Sequence, residues 1–304
     1  MKPPRTILAA TDLSAPARHA VERSFRLAAL AGSELHVLYG LELDALDSLR
    51  EMLGANLAAV KTGVEDSARE QLQQMIDNTA NPPGVAARLR VAIGNPLTVI
   101  ATEADALDAD LLVLGARGES FLRHAMLGST AARLLRKSGR RPLLVVKQPP
   151  HEAYRSVLVA VDFSPVSVQA IRLTKQLAPD ADIFLLHAFE LPYEGKLSFA
   201  GVDPGVIQQY IRSEQEQRRK QLHRLAEEAG LQPEDYLGAV IHGDPSQQII
   251  AQEQEQDCDL IVVGKHGAHI TEELLLGSVT KHVLAESQGD VLVIPDARMP
   301  RSTE

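Results

Sequence analysis

The chain is poor in several residue types that mark particular classes of protein. It contains one cysteine, Cys258, so no disulfide can form within it, which is usual in a reducing compartment. Aromatic residues make up 4% of its 304 residues and tryptophan is absent, so base-stacking platforms are not expected. Lysine and arginine form no run, and the formal net charge is −9. We therefore expect no nucleic-acid partner.

Long apolar runs are also missing. No stretch approaches the roughly 18 apolar residues that cross a bilayer, so no membrane partner is expected. The first residues, MKPPRTILAATD, have too short an apolar run for a signal peptide, and two prolines interrupt them. With 45% hydrophobic and 23% charged residues, the composition is ordinary for a globular protein. We expect a soluble cytoplasmic protein.

The two halves of the chain repeat the same series of segments. The matching pairs are ILAATDLS (7–14) with VLVAVDFS (157–164), LHVLYG (35–40) with LHAFEL (186–191), VAIGNP (91–96) with VIHGDP (240–245), DLLVLGARG (110–118) with DLIVVGKHG (259–267), and PLLVVKQ (142–148) with DVLVIPD (290–296). Their offset stays between 148 and 151 residues. Such a period indicates a domain duplication, since solenoid repeats run about 20–50 residues. With QPPHEAY (148–154) as the linker, the predicted domains are 1–149 and 150–304.

Each half alternates short apolar runs with helical patterns. In the first half, strands are predicted near 6–12, 34–39, 86–93, 110–116 and 142–147. These runs are almost continuously apolar, as expected where helices cover both faces of a parallel sheet. Ser14, Asn95, Ser164 and Asp244 each precede a first turn with proline, which predicts helix starts. The predicted fold class is α/β, with two tandem doubly wound domains, each a five-stranded parallel sheet with helices on both faces.

A glycine pattern occurs once in each half. GARGESFLRHAMLGST (115–130) and GKHGAHITEELLLGSV (264–279) both have Gly, two residues, Gly, nine residues and Gly-Ser. Glycines let backbone N–H groups converge on an anion, and a helix N-terminus adds partial positive charge. The pattern is neither a Walker A loop nor the G-x-G-x-x-G fingerprint. One copy alone is equally consistent with a turn that merely caps a helix, but the repetition favours a phosphate site.

Taken together, these segments resemble the universal stress protein family. The resemblance rests on the strand-one aspartate in AATD and AVD, on the GNP and GDP turns, and on the doubled G-x-x-G-x9-G-S. It covers essentially the whole chain as two tandem domains. The glycine pattern is similar to that of the family's nucleotide-binding branch. This resemblance implies that each half binds ATP, either alone or with Mg.

The resemblance also assigns binding residues. It implies a triphosphate on Gly115, Arg117, Gly118, Gly128, Ser129 and Thr130 in the first half, and on Gly264, His266, Gly267, Gly277, Ser278 and Val279, with Thr280 nearby, in the second. It implies adenine and ribose against Ala10, Asp12 and Val37, and against Ala160, Asp162 and Ala188.

The two predicted sites differ. Arg117 is a permanent cation, whereas His266 is largely neutral at pH 7, and Val279 lacks the hydroxyl of Thr130. The second site is therefore expected to be weaker or different. ELPYEGKLSFAGVDPG (190–205) is predicted as an irregular segment able to act as a lid, whereas ELDALDSLREML (42–53) is predicted as helix.

Several residues allow more than one interpretation. Asp12 and Asp162 can hold a ribose hydroxyl or a magnesium-bound water, or can only cap the turns that follow, and their recurrence favours the ligand role. His242, His266, His269 and His282 are not spaced as a closed zinc set, so no metal site is predicted. His36 and His187 are interpreted as satisfied, buried imidazoles at the end of the second strands. The charged run 212–230 is interpreted as a solvated helix face with Glu/Arg pairs.

The expected function is that of an ATP-binding universal stress protein, acting as a nucleotide sensor or regulator in a stress response. Slow ATP hydrolysis or autophosphorylation stays open as an alternative, although no catalytic residue is assigned because no general base is evident. Another alternative is a nucleotide-free scaffold whose last strands, PLLVVKQ and DVLVIPD, pair with partners. In the family these strands mediate dimer contacts, so the resemblance implies an internal pseudo-dimer, and a homodimer of chains also stays open.

Overall fold

The structure is a computed structural model that describes residues 3–43, 57–79, 82, 84–116, 128–137, 141–267 and 276–296. The chain divides between Ala153 and Tyr154 into two compact units. We call them the first and the second domain. The predicted helix over 42–53 falls almost wholly outside the described residues.

The first domain has a parallel sheet of five strands. The strand order is β3-β2-β1-β4-β5. Its elements are β1 (Thr6–Thr11), α1 (Ala15–Ala31), β2 (Glu34–Leu41), α2 (Leu57–Asp77), β3 (Ala87–Ile93), α3 (Pro96–Ala106), β4 (Leu111–Gly115), α4 (Ser129–Lys137) and β5 (Leu143–Val146).

The second domain repeats this arrangement, with the strand order β10-β9-β6-β7-β8 and every pair parallel. A short helix, α6, is described between β7 and the long helix α7. The elements are β6 (Ser156–Ala160), α5 (Pro165–Leu177), β7 (Asp182–Phe189), α6 (Glu194–Phe199), α7 (Pro204–Ala229), a 3₁₀ turn (Pro233–Asp235), β8 (Tyr236–His242), α8 (Pro245–Glu255), β9 (Leu260–Gly264), α9 (Ser278–Glu286) and β10 (Asp290–Ile294).

The strand order places helices on both faces of each sheet. The chain runs outward from β1 to β3 and then returns past β1 to β4 and β5. Right-handed crossovers therefore put α1 and α2 on one face and α3 and α4 on the other. In agreement, α3 packs against α4, and α5 packs against α7 in the second domain. The central strands are buried on both faces, because adjacent residues, which point to opposite faces, are at most 2% exposed; examples are Ile7 and Leu8 of β1 and Leu111 and Leu112 of β4. The predicted fold class is confirmed.

Polar residues begin the helices where the sequence predicts. Ser14, Asn95 and Asp244 each accept a hydrogen bond from a backbone N–H of the helix that follows. Ser164 occupies the same N-cap position before α5, but its side chain makes no capping bond. These caps fix where each helix starts, immediately beyond the carboxyl end of a strand.

The second strands of the two domains align differently from the match proposed on sequence. Leu35 lies beside Ile7, and Ile183 lies beside Val157. Ile7 and Val157 are themselves equivalent, so Leu35 corresponds to Ile183. The match of LHVLYG with LHAFEL is therefore wrong by three residues.

This shift changes which residues correspond near the carboxyl ends. Tyr39 is the counterpart of His187, and Gly40 is the counterpart of Ala188. His36 lies near the start of β2, so its placement at the strand end is wrong. His36 is buried, and its Nε2 lies 2.6 Å from Glu34, but its Nδ1 meets no hydrogen-bond partner among the described residues.

Candidate functional site

The carboxyl ends of β1 and β4 are neighbours, because Ala10 pairs with Leu114. At this point the strand order reverses direction, which is where open α/β sheets bind ligands. Asp12 directly follows β1, and Gly115 is the last residue of β4. In the second domain Asp162 and Gly264 occupy the same positions, at the ends of β6 and β9.

The strand-one aspartates hold the turn that leads into the next helix. Oδ1 of Asp12 accepts from the Ser14 N–H at 3.1 Å, and Oδ1 of Asp162 accepts from the Ser164 N–H at 3.0 Å. The intervening residues, Leu13 and Phe163, have φ of 66° and 62°, a conformation that side chains rarely adopt. The capping interaction proposed as the alternative is thus present, and a ligand contact stays a prediction.

The glycine loop of the second domain is closed by the backbone. The N–H of Gly277 donates to the Lys265 carbonyl at 3.0 Å. A Cβ on Gly277 would lie 3.3 Å from that carbonyl oxygen, and one on Gly264 would lie 3.1 Å from the His266 carbonyl oxygen. Both glycines therefore let backbone segments approach closely. Gly267 is exposed and His266 is half-buried.

The loop of the first domain closes in the same way. The Gly128 N–H donates to the Ala116 carbonyl at 2.8 Å, and the Ala116 N–H donates to Val146 at 2.8 Å. Arg117 and Gly118 lie outside the described residues, as does the side chain of Ser129. Thr130 is half-buried in the first turn of α4.

At the start of α9, one residue of the predicted phosphate site, Thr280, makes a hydrogen bond within the protein. Ser278 is exposed and Val279 is half-buried at the helix start. Thr280 is 3% exposed, and its hydroxyl donates to the Gly264 carbonyl at 2.7 Å. Its hydroxyl hydrogen is thus used within the protein. Ala131 takes this position in the first domain, so only the second domain has the link.

The residues predicted to contact adenine and ribose lie at different depths. Ala10 is 7% exposed, near the end of β1, and Ala160 is half-buried at the end of β6. Val37 is fully buried in the middle of β2. Its pairing with Ala188 as an equivalent residue is wrong, because Gly40 occupies that position. A Cβ on Gly40 would lie 3.3 Å from Cα of Pro96.

Aromatic and charged side chains form a cluster next to the second site, near the carboxyl ends of β6 and β7. The sequence motifs do not predict this cluster. His187 is buried, and its Nδ1 lies 2.8 Å from the Val161 carbonyl oxygen. The Phe163 ring lies 4.2 Å from the His187 ring, centroid to centroid. The Arg218 guanidinium lies 4.5 Å from the centre of the Phe189 ring.

Arg218 is held on α7, inside the run interpreted as a solvated face. Its Nη2 donates to Glu214 at 3.0 Å, and its Nη1 lies 3.5 Å from Nε2 of His187. Within the part of the chain that the structure describes, its buried Nε has no hydrogen-bond partner. The predicted pairing of glutamate with arginine is therefore present between Glu214 and Arg218. Their side chains are only 22% and 27% exposed, so these two residues are half-buried and do not lie on a fully solvated face.

The first domain has uncharged, mostly apolar residues in the corresponding place. Aligning the buried faces of α2 and α7, where Leu72 and Leu222 are both buried, makes Ala68 the counterpart of Arg218. A cavity of about 290 Å³ opens there, lined by Tyr39, Leu41, Val60, Gly63, Val64, Ser67, Ala68 and Gln71. The two domains therefore share the same backbone arrangement, but the side chains packed next to the site are charged in the second domain and uncharged in the first.

The segment 190–205 is more ordered than predicted. It contains α6 and the first two residues of α7, and Glu194 of α6 lies 2.8 Å from Nε2 of His242 at the end of β8. The segment thus contacts the carboxyl edge of the sheet, while its action as a lid stays a prediction. In the described ranges no three His, Cys, Asp or Glu side chains come together as a metal site.

Comparison with known proteins identifies the family. The model of the universal stress protein family matches residues 4–147 and again 153–295. The chain therefore belongs to the universal stress protein family and carries two tandem copies of its domain. None of the helices in the described parts of the chain has both the length and the apolar character needed to cross a membrane.

Two curated relatives come from Mycobacterium tuberculosis. Universal stress protein Rv1996 is 30% identical over 197 residues, which are 63% of this chain and 59% of the relative. Universal stress protein Rv2005c is 28% identical over 199 residues, 61% of this chain and 62% of the relative. The chain thus spans about three fifths of the length of these relatives.

Solved structures share the two-domain fold. A universal stress protein from Archaeoglobus fulgidus has a TM-score of 0.61 and 19% identity, covering 95% of this chain and 98% of that chain. PA1789 from Pseudomonas aeruginosa, described as functionally unknown, has a TM-score of 0.64 and 19% identity, covering 96% and 92%. At these identities the likeness concerns the fold alone.

Proposed function

We propose that each domain binds an adenine nucleotide, ATP in particular, and that the protein acts as a nucleotide-dependent sensor or regulator. The observation that carries this proposal is the identical closure of the two glycine loops. Gly128 donates to Ala116, and Gly277 donates to Lys265, at 2.8 and 3.0 Å. One backbone geometry has thus been kept in two copies whose side chains have diverged.

This closure presents helix N-termini to the carboxyl edge of each sheet. Helices α4 and α9 begin directly after Gly128 and Gly277. The first N–H groups of a helix have no intrahelical acceptor and carry partial positive charge, so they suit a phosphate. Asp12 and Asp162 lie in the turns that follow the adjoining strands β1 and β6, and a carboxylate there suits a ribose hydroxyl. Phosphate at the helix and sugar at the aspartate together favour a nucleotide over a simple anion.

Binding is proposed to dominate over catalysis. The loops offer donors for phosphate, while the hydroxyl of Thr280 is committed to Gly264. Hydrolysis of ATP is expected to be slow or absent. Phosphate release on the order of 10 per second, an ordinary enzymatic rate, would contradict this part of the proposal.

The test is calorimetric titration of the full chain with Mg-ATP. Gly128→Asp and Gly277→Asp each add a side chain where backbone segments approach closely, together with a negative charge beside the phosphate. Each variant should lose one binding event per chain, and the double variant both. The loss of affinity should be larger for Gly128→Asp, because only the first half has Arg117 and Thr130.

Matched variants distinguish a local loss of nucleotide binding from general destabilisation of the fold. Gly277→Asn has nearly the same shape as Gly277→Asp but no charge, so it should bind more tightly than the aspartate variant. Gly195→Asp is a control, because a Cβ at Gly195 meets nothing within 4 Å, and it should keep both binding events. Circular dichroism verifies folding. A folded double variant with full ATP stoichiometry would refute the proposal.

A further inference from the structure

We propose that His187, in its neutral form, is the positioning residue for the Asp162 turn of the second domain, so that nucleotide binding by this domain alone is lost in acid. This inference rests on the proposed function for its binding readout, but the turn itself is visible without ligand.

The two domains fix the same turn by different means. In the first domain the Thr11 hydroxyl oxygen accepts from the Leu13 N–H at 3.0 Å. Val161 replaces Thr11 and has no hydroxyl. Instead, Ser167 bridges Asp162, accepting from its N–H at 3.1 Å and donating to its Oδ1 at 2.8 Å.

His187 supplies a further contact, at the residue that precedes this turn. A carbonyl oxygen can only accept, so the bond from Nδ1 to Val161 at 2.8 Å requires a proton on Nδ1. In the neutral ring, Nε2 then carries a lone pair. That lone pair faces Nη1 of Arg218 at 3.5 Å. The ring is thus oriented on one side by the turn and on the other by a cation.

Protonation of Nε2 disfavours this arrangement. A second ring proton would place Nε2–H and a positive charge against the Arg218 guanidinium. Burial lowers the pKa of His187 below its usual range and Arg218 lowers it further, against the Val161 carbonyl and Asp162, which raise it. The neutral ring is therefore the favoured form in the buried position. The Val161 bond by itself favours the charged ring, but a buried charge beside Arg218 is disfavoured, so acid favours opening of the pocket to water, which withdraws the ring from the Val161 carbonyl.

Other charged groups face the ring from the surrounding elements. Glu214 on α7 is engaged with Arg218, and Asp162 lies at the end of β6. His242 on β8 contacts the Phe189 ring, 5.5 Å between centroids, and pairs with Glu194 on α6. In the first domain Tyr39 replaces His187 and Ala68 replaces Arg218, so neither an imidazole nor a guanidinium stands at these positions.

The experiment titrates Mg-ATP from pH 7.5 to 5.0 into Gly128→Asp, which keeps the second site, and into Gly277→Asp, which keeps the first. The second site should lose affinity about tenfold per pH unit below the pKa of His187, the slope for one proton. ATP itself ionises in this range, and the first site corrects for it. Parallel loss of affinity at both sites would overturn the inference.

Substitutions made in the Gly128→Asp chain distinguish the effect of protonating His187 from that of protonating His266 in the glycine loop. His187→Asn keeps a donor near Nδ1 but does not titrate, so it should bind at pH 7.5 and resist acid. His223→Asn, on the far part of α7, should keep the acid loss. Arg218→Gln should raise the pKa of His187 and move the loss to higher pH. An unchanged pH profile in His187→Asn would overturn the inference.

A ligand-free readout separates this inference from the proposed function. In wild type, the amide resonances of Asp162 and Ser164 should shift with the same midpoint as the His187 ring, and in His187→Asn they should not. If ATP binds neither domain at pH 7.5, the proposed function fails, and these resonances still decide the role of His187. Amides that ignore the titration of the His187 ring would refute it.

Discussion

Replacing Thr280 by valine removes a buried hydroxyl while keeping the shape of the side chain. The hydroxyl donates to the Gly264 carbonyl at 2.7 Å, and Thr280 is 3% exposed. This bond joins the start of α9 to the end of β9, the two elements that form the second glycine loop. Its loss therefore tests whether Thr280 is a structural link or a phosphate donor.

The magnitude follows from the burial of the two partners. A net hydrogen bond contributes about 0.5–1.5 kcal/mol, and an unpaired buried acceptor costs about 1–3 kcal/mol. Gly264 is half-buried, so water can partly satisfy its carbonyl, and we expect a total loss of about 1–2 kcal/mol. With a urea dependence of about 2 kcal/mol per molar, the unfolding midpoint should fall by roughly 0.5–1 M.

The assay is urea unfolding monitored by hydrogen exchange. Peptides from β9 and β10 report on the second domain alone. Thr130→Val is the matched control, because Thr130 is half-buried at the start of α4. It is followed in peptides from β4 and β5 of the first domain, and it should cost less than about 0.5 kcal/mol. An unchanged midpoint for Thr280→Val, accompanied by at least a tenfold loss of ATP affinity (about 1.4 kcal/mol), would refute the structural assignment.

Two further predictions concern packing and reactivity. Gly40→Ala should destabilise the first domain by about 1–3 kcal/mol, since the added Cβ would lie 3.3 Å from Cα of Pro96. The control Gly63→Ala, in open space on α2, should instead stabilise the domain by up to about 1 kcal/mol. Equal urea midpoints for the two variants would contradict the close packing at Gly40. Cys258 is 7% exposed, and burial, together with nearby carboxylates, raises the pKa of its thiol despite the Ser156 hydrogen bond. Alkylation at pH 8 should therefore be at least about tenfold slower in the native than in the unfolded chain, and equal rates would show the thiol to be accessible.

Much of the fold could be predicted from the sequence because local patterns specify it. Buried parallel strands appear as apolar runs such as Leu111–Gly115, and proline after Asn95 or Asp244 marks a helix start. The duplication supplied a second, independent copy of each pattern. Family membership and both glycine loops could therefore be recognised from residues alone, while ATP binding itself stays a prediction.

The alignment of β2 with β7 could not be predicted in this way. Both strands are nearly continuous apolar runs, so a slip of three residues leaves the pattern almost unchanged. The histidines His36 and His187 favoured the wrong match. Only the pairing of Leu35 with Ile7 and of Ile183 with Val157 shows that Gly40, and not Val37, corresponds to Ala188.

The sequence by itself determined the two-domain α/β fold and the positions of Asp12, Asp162 and the glycine loops, because each depends on residues close together in the chain. Tertiary structure decided which distant side chains meet there. Arg218 lies in a charged run that looks solvated, yet it reaches His187 because α7 packs on the same face of the sheet as the His187 ring. Contacts of this kind depend on how a helix is rotated against a sheet, and a single charged residue carries no local sign of that rotation.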